Sequence, residues 1–216
     1  MAQIFPRSAN WASKASIIAG LVVVSALMGI LLNINRLYFV NQVNVPRDQP
    51  VPFSHKHHVT GMGIDCRYCH TTVEESAFAG IPPTETCMTC HSQIWTEAAI
   101  LEPVRASFRD NTSIRWTRVH DLPDFVYFNH SIHINKGIGC QSCHGQVDQM
   151  PLMWKENSLN MEWCLECHRQ PEKFIRPREH VFNMTWKPPP DHDGRKLVAE
   201  YNVQTTQLTD CSVCHR

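Results

Sequence analysis

The chain has 216 residues, sets 20 Lys and Arg against 20 Asp and Glu for a formal charge of zero, and holds nine Gly against fourteen Pro. Without a basic excess nothing points to nucleic acid. Few apolar runs outside the N-terminus leave little from which to build a conventional core, yet ten cysteines and thirteen histidines are present.

In chain order, the first predicted element is a helix over residues 15–32 (ASIIAGLVVVSALMGILL), a run without a charge. Such a helix is about 27 Å long, close to the hydrocarbon thickness of a bilayer. The run is long for a signal-peptide core and no A-x-A site follows it, so the expectation is an uncleaved signal anchor within segment 1–40 rather than a removed leader. Trp11 on one side and Tyr38 with Phe39 on the other fall where interfacial aromatics belong. Arg7 and Lys14 precede the span while Arg36, Arg47 and Lys56 follow it, so charge does not set the orientation. Ser16 with Gly20, and Ser25 with Gly29, put small residues on one face that a second membrane helix could approach closely.

Segment 41–216 carries the cysteines. They form CRYCH (66–70), CMTCH (87–91), CQSCH (140–144), CLECH (164–168) and CSVCH (211–215), and none is left over. C-x-x-C-H attaches c-type haem: the two thiols bond to the porphyrin and the adjacent histidine reaches the iron. Neither disulfides nor zinc sites explain a histidine after every second cysteine. The expected attachment thiols are Cys66, Cys69, Cys87, Cys90, Cys140, Cys143, Cys164, Cys167, Cys211 and Cys214, and the expected axial ligands are His70, His91, His144, His168 and His215. Five haem c groups would supply the apolar surface that the polypeptide lacks. Their attachment places 41–216 on the oxidising, extracytoplasmic side of the membrane.

Five irons that only pass electrons need five further ligands. FSHKHHVTGMGIDCRYCH (53–70) and FNHSIHINKGIGCQSCH (128–144) repeat the pattern F-x-H-x-x-H, spacer, G-I-x, C-x-x-C-H. Histidines three apart share one side of a helical turn and can reach two different irons. His55, His58, His130 and His133 are therefore expected ligands together with His120, whereas His57, His180 and His192 are less suited. His55 lies eleven residues before Cys66 and His130 ten before Cys140, which assigns them to the first and third motifs. By the same offset Met153 stands eleven residues before Cys164 and pairs with His168; Met150 and Met161 are weaker choices. His58, His120 and His133 then compete for the second and fifth haems. A thioether raises an iron's potential relative to imidazole, although a methionine here could equally pack against a porphyrin face.

Sixteen and nineteen residues separate motifs one from two and three from four, against forty-eight and forty-two in the other gaps, which predicts two close haem pairs and a fifth haem. The long gaps read as loops, stiffened by PPPD at 188–191, with scattered short helices and no alternating strands. The predicted fold is thus a mainly α and irregular multihaem cytochrome c domain organised around its haems, with one N-terminal transmembrane helix.

FSHKHH, AGIPPTETCMTCHSQIW, VHDLPDFVYFNHSIH, MPLMWKENSLNMEWCLECHR and the closing CSVCHR, behind a membrane-anchored start, resemble the pentahaem cytochrome c subunit of alternative complex III over nearly the whole chain. The paired-histidine module also resembles c7-type multihaem cytochromes. The first resemblance implies a place in a quinol-oxidising assembly of the inner membrane. Its partners would be an iron–sulfur subunit, membrane quinol-binding subunits, a monohaem cytochrome c and membrane lipid, with electrons leaving to a soluble carrier or terminal oxidase. The competing class is a multihaem reductase, of nitrite or hydroxylamine, which keeps one iron open. The surplus of histidines favours the carrier.

Overall fold

The computed structural model describes residues 4–215, without the side chains of Asn35, Tyr38 and Phe39; the interfacial aromatics expected at Tyr38 and Phe39 therefore lie outside the described residues. The chain divides into two compact units, Met1–Gln42 and Val43–Arg216.

In the first unit, α1 (Ala9–Asn33) continues past the apolar run at both ends and is followed by the single turn α2 (Tyr38–Asn41). With 25 residues, α1 is long and apolar enough to cross a membrane. None of its residues is buried, and Leu21, Val22, Val23 and Val24, which point to four sides of the helix, are all exposed. A methyl group added at Gly20 or Gly29 would meet nothing within 4 Å.

In the second unit no sheet forms among the described residues; Val43 with Lys155, Val126 with His215 and Ile138 with Ile175 make isolated bridges. The secondary structure is a set of short helices: α3 (Cys66–Cys69), α4 (Thr84–His91), α5 (Glu102–Asp110), α6 (His130–Asn135), α7 (Cys140–His144), α8 (Met161–Arg169), α9 (Gly194–Glu200) and α10 (Cys211–Cys214). Local signals start and stop them. Asp65, Asn129 and Asp193 accept backbone N–H groups at the starts of α3, α6 and α9. Asn111, with φ +49°, closes α5 in the left-handed conformation. Each C-x-x-C pair lies on one of these turns, α3, α4, α7, α8 or α10. The apolar core is thin and split. One cluster joins Val51, Leu101 and Val104; the other joins Val73, Ile134 and Val181, with Cys140 and Phe182 packed against it.

The repeat seen in the sequence is also a repeat in space. In both copies the histidine turn ends at a glycine with positive φ, +69° at Gly63 and +80° at Gly137, which favours a residue without Cβ. Just beyond, Ile64 N–H donates to His58 O (3.2 Å) and Ile138 N–H to His133 O (2.9 Å). The first copy has one more residue between these partners and accommodates it as a π-helical turn, Lys56–Gly61, where the second is α6. Each copy docks on the segment that follows the other copy's motif. Lys56 N–H donates to Met150 O (3.1 Å) and the Thr60 hydroxyl to Asp148 O (2.6 Å). Reciprocally, Ser131 N–H donates to Ser76 O (3.1 Å), His130 N–H to Ala77 O (3.2 Å) and Asn135 Nδ2 to Glu74 O (2.9 Å). This exchange brings the first and third motifs together.

Candidate functional site

All ten cysteines are free of disulfide bonds, and three pairs of histidines face one another between the short helices. His58 and His91 have ring centres 6.3 Å apart, His130 and His144 6.3 Å, and His133 and His168 6.2 Å. A metal held between two imidazoles by bonds of about 2 Å sets their ring centres roughly 6 Å apart. These separations therefore fit an axially ligated iron. Among the described residues no group of three or more His, Cys, Asp or Glu side chains comes together to hold a metal. Imidazole pairs suit a metal that brings its four equatorial ligands with it, as haem iron does. His55 lies by His70, and its pKa is pushed down to about 4 by burial first and then by His70 and His58. Such depression keeps the ring neutral, the form that binds metal.

One aromatic side chain aims both histidines of each module. Phe53 stacks on His58 (4.4 Å, 26°) and meets His55 edge-on (4.9 Å, 89°). Phe128 repeats this with His133 (4.5 Å, 27°) and His130 (4.7 Å, 88°). Ring orientation is fixed from the other side by hydrogen bonds at Nδ1, which leave Nε2 to point into the space. His58 Nδ1 meets Ser54 O (2.8 Å) and His133 Nδ1 meets Asn129 O (2.7 Å), each four residues back along the turn. Among motif histidines, Nδ1 of His70 meets Gly80 O (2.7 Å) and that of His168 meets Leu208 O (2.8 Å).

The motifs adjoin in the order two, one, three, four, five. Burial raises the Cys87 thiol and neighbouring Cys69 adds to it, while Tyr68 and Thr89 bridge the same two motifs through their hydroxyls at 3.0 Å. Burial and then Cys66 push Cys140 up to about 12. Arg67 lies over the ring of Phe182 (4.6 Å), which packs against the same apolar cluster as Cys140. Cys143 is likewise raised to about 12 by burial and then Cys167, and Asn157 Nδ2 donates to Cys143 O (3.0 Å). Burial and then Cys214 raise Cys164. The sequence spacing predicted two close pairs and a fifth; the exchanged docking joins those pairs through motifs one and three, and motif five adjoins motif four. Motif three is the hub, where His144 is pushed down to about 3 by burial, then His120, His130, His70 and His55.

Several expected residues stand elsewhere than sequence offset placed them. His133, not Met153, has its ring across from His168, because α6 aims its two histidines at different motifs while an offset counted along the chain carries no such direction. Met153 is half-buried, and its carbonyl accepts from Arg47 N–H (3.1 Å). His120 faces neither the second nor the fifth motif; its Nε2 lies 3.3 Å from Nδ1 of His144. His57 is exposed beside Trp95, and His180 and His192 flank Trp186. The ring near His215 is Phe125, at 5.9 Å. The roles of Phe53 and Phe128 were signalled by their place in the repeated pattern. The carbonyl acceptors had no sequence signal.

Residues 39–120 match the class III cytochrome C family, and residues 126–216 match cytochrome c7 and related cytochrome c. Over 174 residues, 78% of this chain and 68% of the relative, the chain is 27% identical to the multiheme cytochrome c subunit of menaquinone reductase from Nitratidesulfovibrio vulgaris (strain Hildenborough). With matches that divide the chain where its internal repeat divides it, and a sheetless, mostly helical and irregular unit built around C-x-x-C-H turns, the protein is a multihaem electron-transfer cytochrome of the c type.

Proposed function

We propose that this chain is the electron-conducting subunit of a membrane-bound quinol-oxidising complex of the alternative complex III kind. It carries five covalent haems on its five motifs, with α1 as the anchor and residues 43–216 on the extracytoplasmic side. The observation that supports this most directly is the set of facing imidazoles at 6.2–6.3 Å. The residues that would hold four of the irons are His70 with His55, His91 with His58, His144 with His130, and His168 with His133. When bound, the haems supply reversible one-electron transfer. The chain's own part is to hold each iron between two imidazoles and to keep those rings fixed, through Nδ1 contacts at every one of them but His55 and through Phe53 and Phe128. The motif order two, one, three, four, five makes a single file with ends at motifs two and five, where Cys90 and Cys211 are exposed. The relative's name, a menaquinone reductase subunit, supports a quinone-linked assembly. An iron–sulfur subunit, quinol-binding membrane subunits and a monohaem cytochrome c are the expected partners.

The test is isolation from native membranes. Five covalent haems per chain, resistance to alkaline extraction and co-purification with iron–sulfur and quinol-binding subunits are expected. A haem-free chain, or one recovered without any membrane partner, overturns the proposal. Motif five favours a second reading, a reductase with one open iron, because among the described residues the ring beside His215 is that of Phe125 and not a histidine. Carbon monoxide uptake by the reduced protein together with turnover of nitrite or hydroxylamine would establish that reading.

A further inference from the structure

Backbone carbonyls serve Nδ1 of nearly every histidine in the motifs and modules. Gly80 serves His70 (2.7 Å), Ile94 His91 (3.3 Å), Leu208 His168 (2.8 Å), Phe125 His215 (3.3 Å), Ser54 His58 (2.8 Å), Ala77 His130 (2.9 Å) and Asn129 His133 (2.7 Å). Two depart from this: Nδ1 of His55 is buried without a hydrogen-bond partner among the described residues, and His144 is the one motif histidine whose Nδ1 has no carbonyl. Its Nδ1 meets a side chain, Nε2 of His120, at 3.3 Å, with the ring centres 4.3 Å apart and the planes crossing at 73°. The departure is local to one half of the molecule, since His70, the counterpart of His144 in the first repeat, has the Gly80 carbonyl. On the opposite side of the iron position, His144 faces His130 with planes only 6° from parallel.

We infer that His120 is a positioning residue for His144, lowering the reduction potential at motif three and fixing the ring plane there, and that it does not ligate iron. The inference rests on the placement of a haem at motif three given under Proposed function. A histidine bound to iron through Nε2 keeps its proton on Nδ1, so His144 donates and the Nε2 lone pair of His120 accepts. An imidazole nitrogen is a stronger base than an amide carbonyl. It draws the shared proton further from His144 and leaves that ring more electron-rich, as hydrogen-bonded partners of metal-bound histidines do. A more strongly donating ligand stabilises ferric over ferrous iron, and the potential falls. The crossed planes also resist rotation of His144 about its bond to iron, so the near-parallel setting against His130 is held from behind.

The experiment uses the haem-loaded full chain in its native membrane complex and compares His120→Ala and His120→Gln with the parent by redox titration and electron paramagnetic resonance. Glutamine offers an amide oxygen near the place of Nε2. In His120→Ala one midpoint rises, the low-spin signal of a near-parallel imidazole pair changes, and haem count and low-spin character stay those of the parent. His120→Gln lies between the two. Should the alanine variant fail to accumulate, the glutamine variant decides by its own midpoint. Unmoved midpoints and spectra in both variants overturn the inference, as does a new high-spin haem that takes up carbon monoxide, which would make His120 a ligand. Mass analysis of the parent's Cys140–His144 peptide separates the two readings: no haem there overturns the haem placement and this inference with it. Haem present with unmoved midpoints overturns the inference alone.

Discussion

Residues 53–91 and 128–168 arrange the same parts around a longer and a shorter histidine turn. What stays constant between them is what aims the rings. A phenylalanine stacks on the second histidine, a carbonyl four residues back holds its Nδ1, and a left-handed glycine ends the turn. The added residue in the first copy widens a helical turn to the π form instead of moving a histidine. The backbone absorbs the change, and both imidazoles keep their stacked and edge-on contacts with the phenylalanine. Where the copies do diverge is in the surroundings: Gly80 O against His120 behind the motif histidine, and open space against close packing beside the glycine.

The largest effects are expected from the facing histidines, and they test whether the halves are equivalent. His58→Ala and His133→Ala should each open one iron, seen as one carbon monoxide bound per reduced chain. Met153→Ala should open none. If Met153→Ala opens an iron and His133→Ala does not, the fourth motif does not follow the second and the equivalence fails.

The glycines sharpen the comparison, because the same backbone conformation sits in different packing. A Cβ at Gly63 meets nothing within 4 Å, so Gly63→Ala should cost about 1 kcal/mol, the strain of a left-handed residue. A Cβ at Gly137 runs into the Arg176 carbonyl and the Tyr201 and Ile175 side chains. Gly137→Ala should therefore cost about 4 kcal/mol or more, read as a lower denaturation midpoint of the haem-loaded protein. Equal losses would mean that Gly137 is kept for its backbone alone.

What could be read from the sequence follows the same division. The C-x-x-C-H turns, the H-x-x-H pairs and the glycines were legible because the chemistry constrains residue type at each of those positions. The pairing of His133 with His168 was not, because it depends on the direction in which α6 is aimed. That direction is set by bonds to the carbonyls of Ala77 and Ser76. Any residue supplies a carbonyl, so such partners leave no trace in composition. The contact of His120 with His144 was not legible for a related reason: a histidine free to ligate a metal and one that meets another histidine look alike in a sequence. The order of motifs was hidden too, since chain spacing reports the short connections and not the exchanged docking.

Phe53→Leu and Phe128→Leu form the next pair in expected size. Each removes a stacked and an edge-on ring contact, worth about 1 kcal/mol, and frees the two histidines to turn. Matching losses of thermal stability and matching changes in two low-spin signals are expected from the two variants. A change confined to one variant would show that only one half relies on its phenylalanine to aim the rings.

The smallest effects should come from the links between the motifs of each half. Tyr68 and Thr89 join motifs one and two through an exposed hydroxyl pair, and water can replace either partner. Asn157 joins the stretch before motif four to motif three from a part-buried position, donating to Cys143 O at 3.0 Å. Its loss leaves that carbonyl without its donor where water enters less freely. Asn157→Ala should accordingly cost about 1 kcal/mol, and Tyr68→Phe should stay within about 0.5 kcal/mol. Thermal denaturation of the haem-loaded variants reads both. The difference bears on function because each link fixes the distance between neighbouring motifs: loosening the second half should broaden the redox titration of motifs three and four, while the first half keeps its midpoints. If Tyr68→Phe proves the costlier change, the first half depends on its surface link, and the tighter burial of motifs three and four is not what holds their spacing.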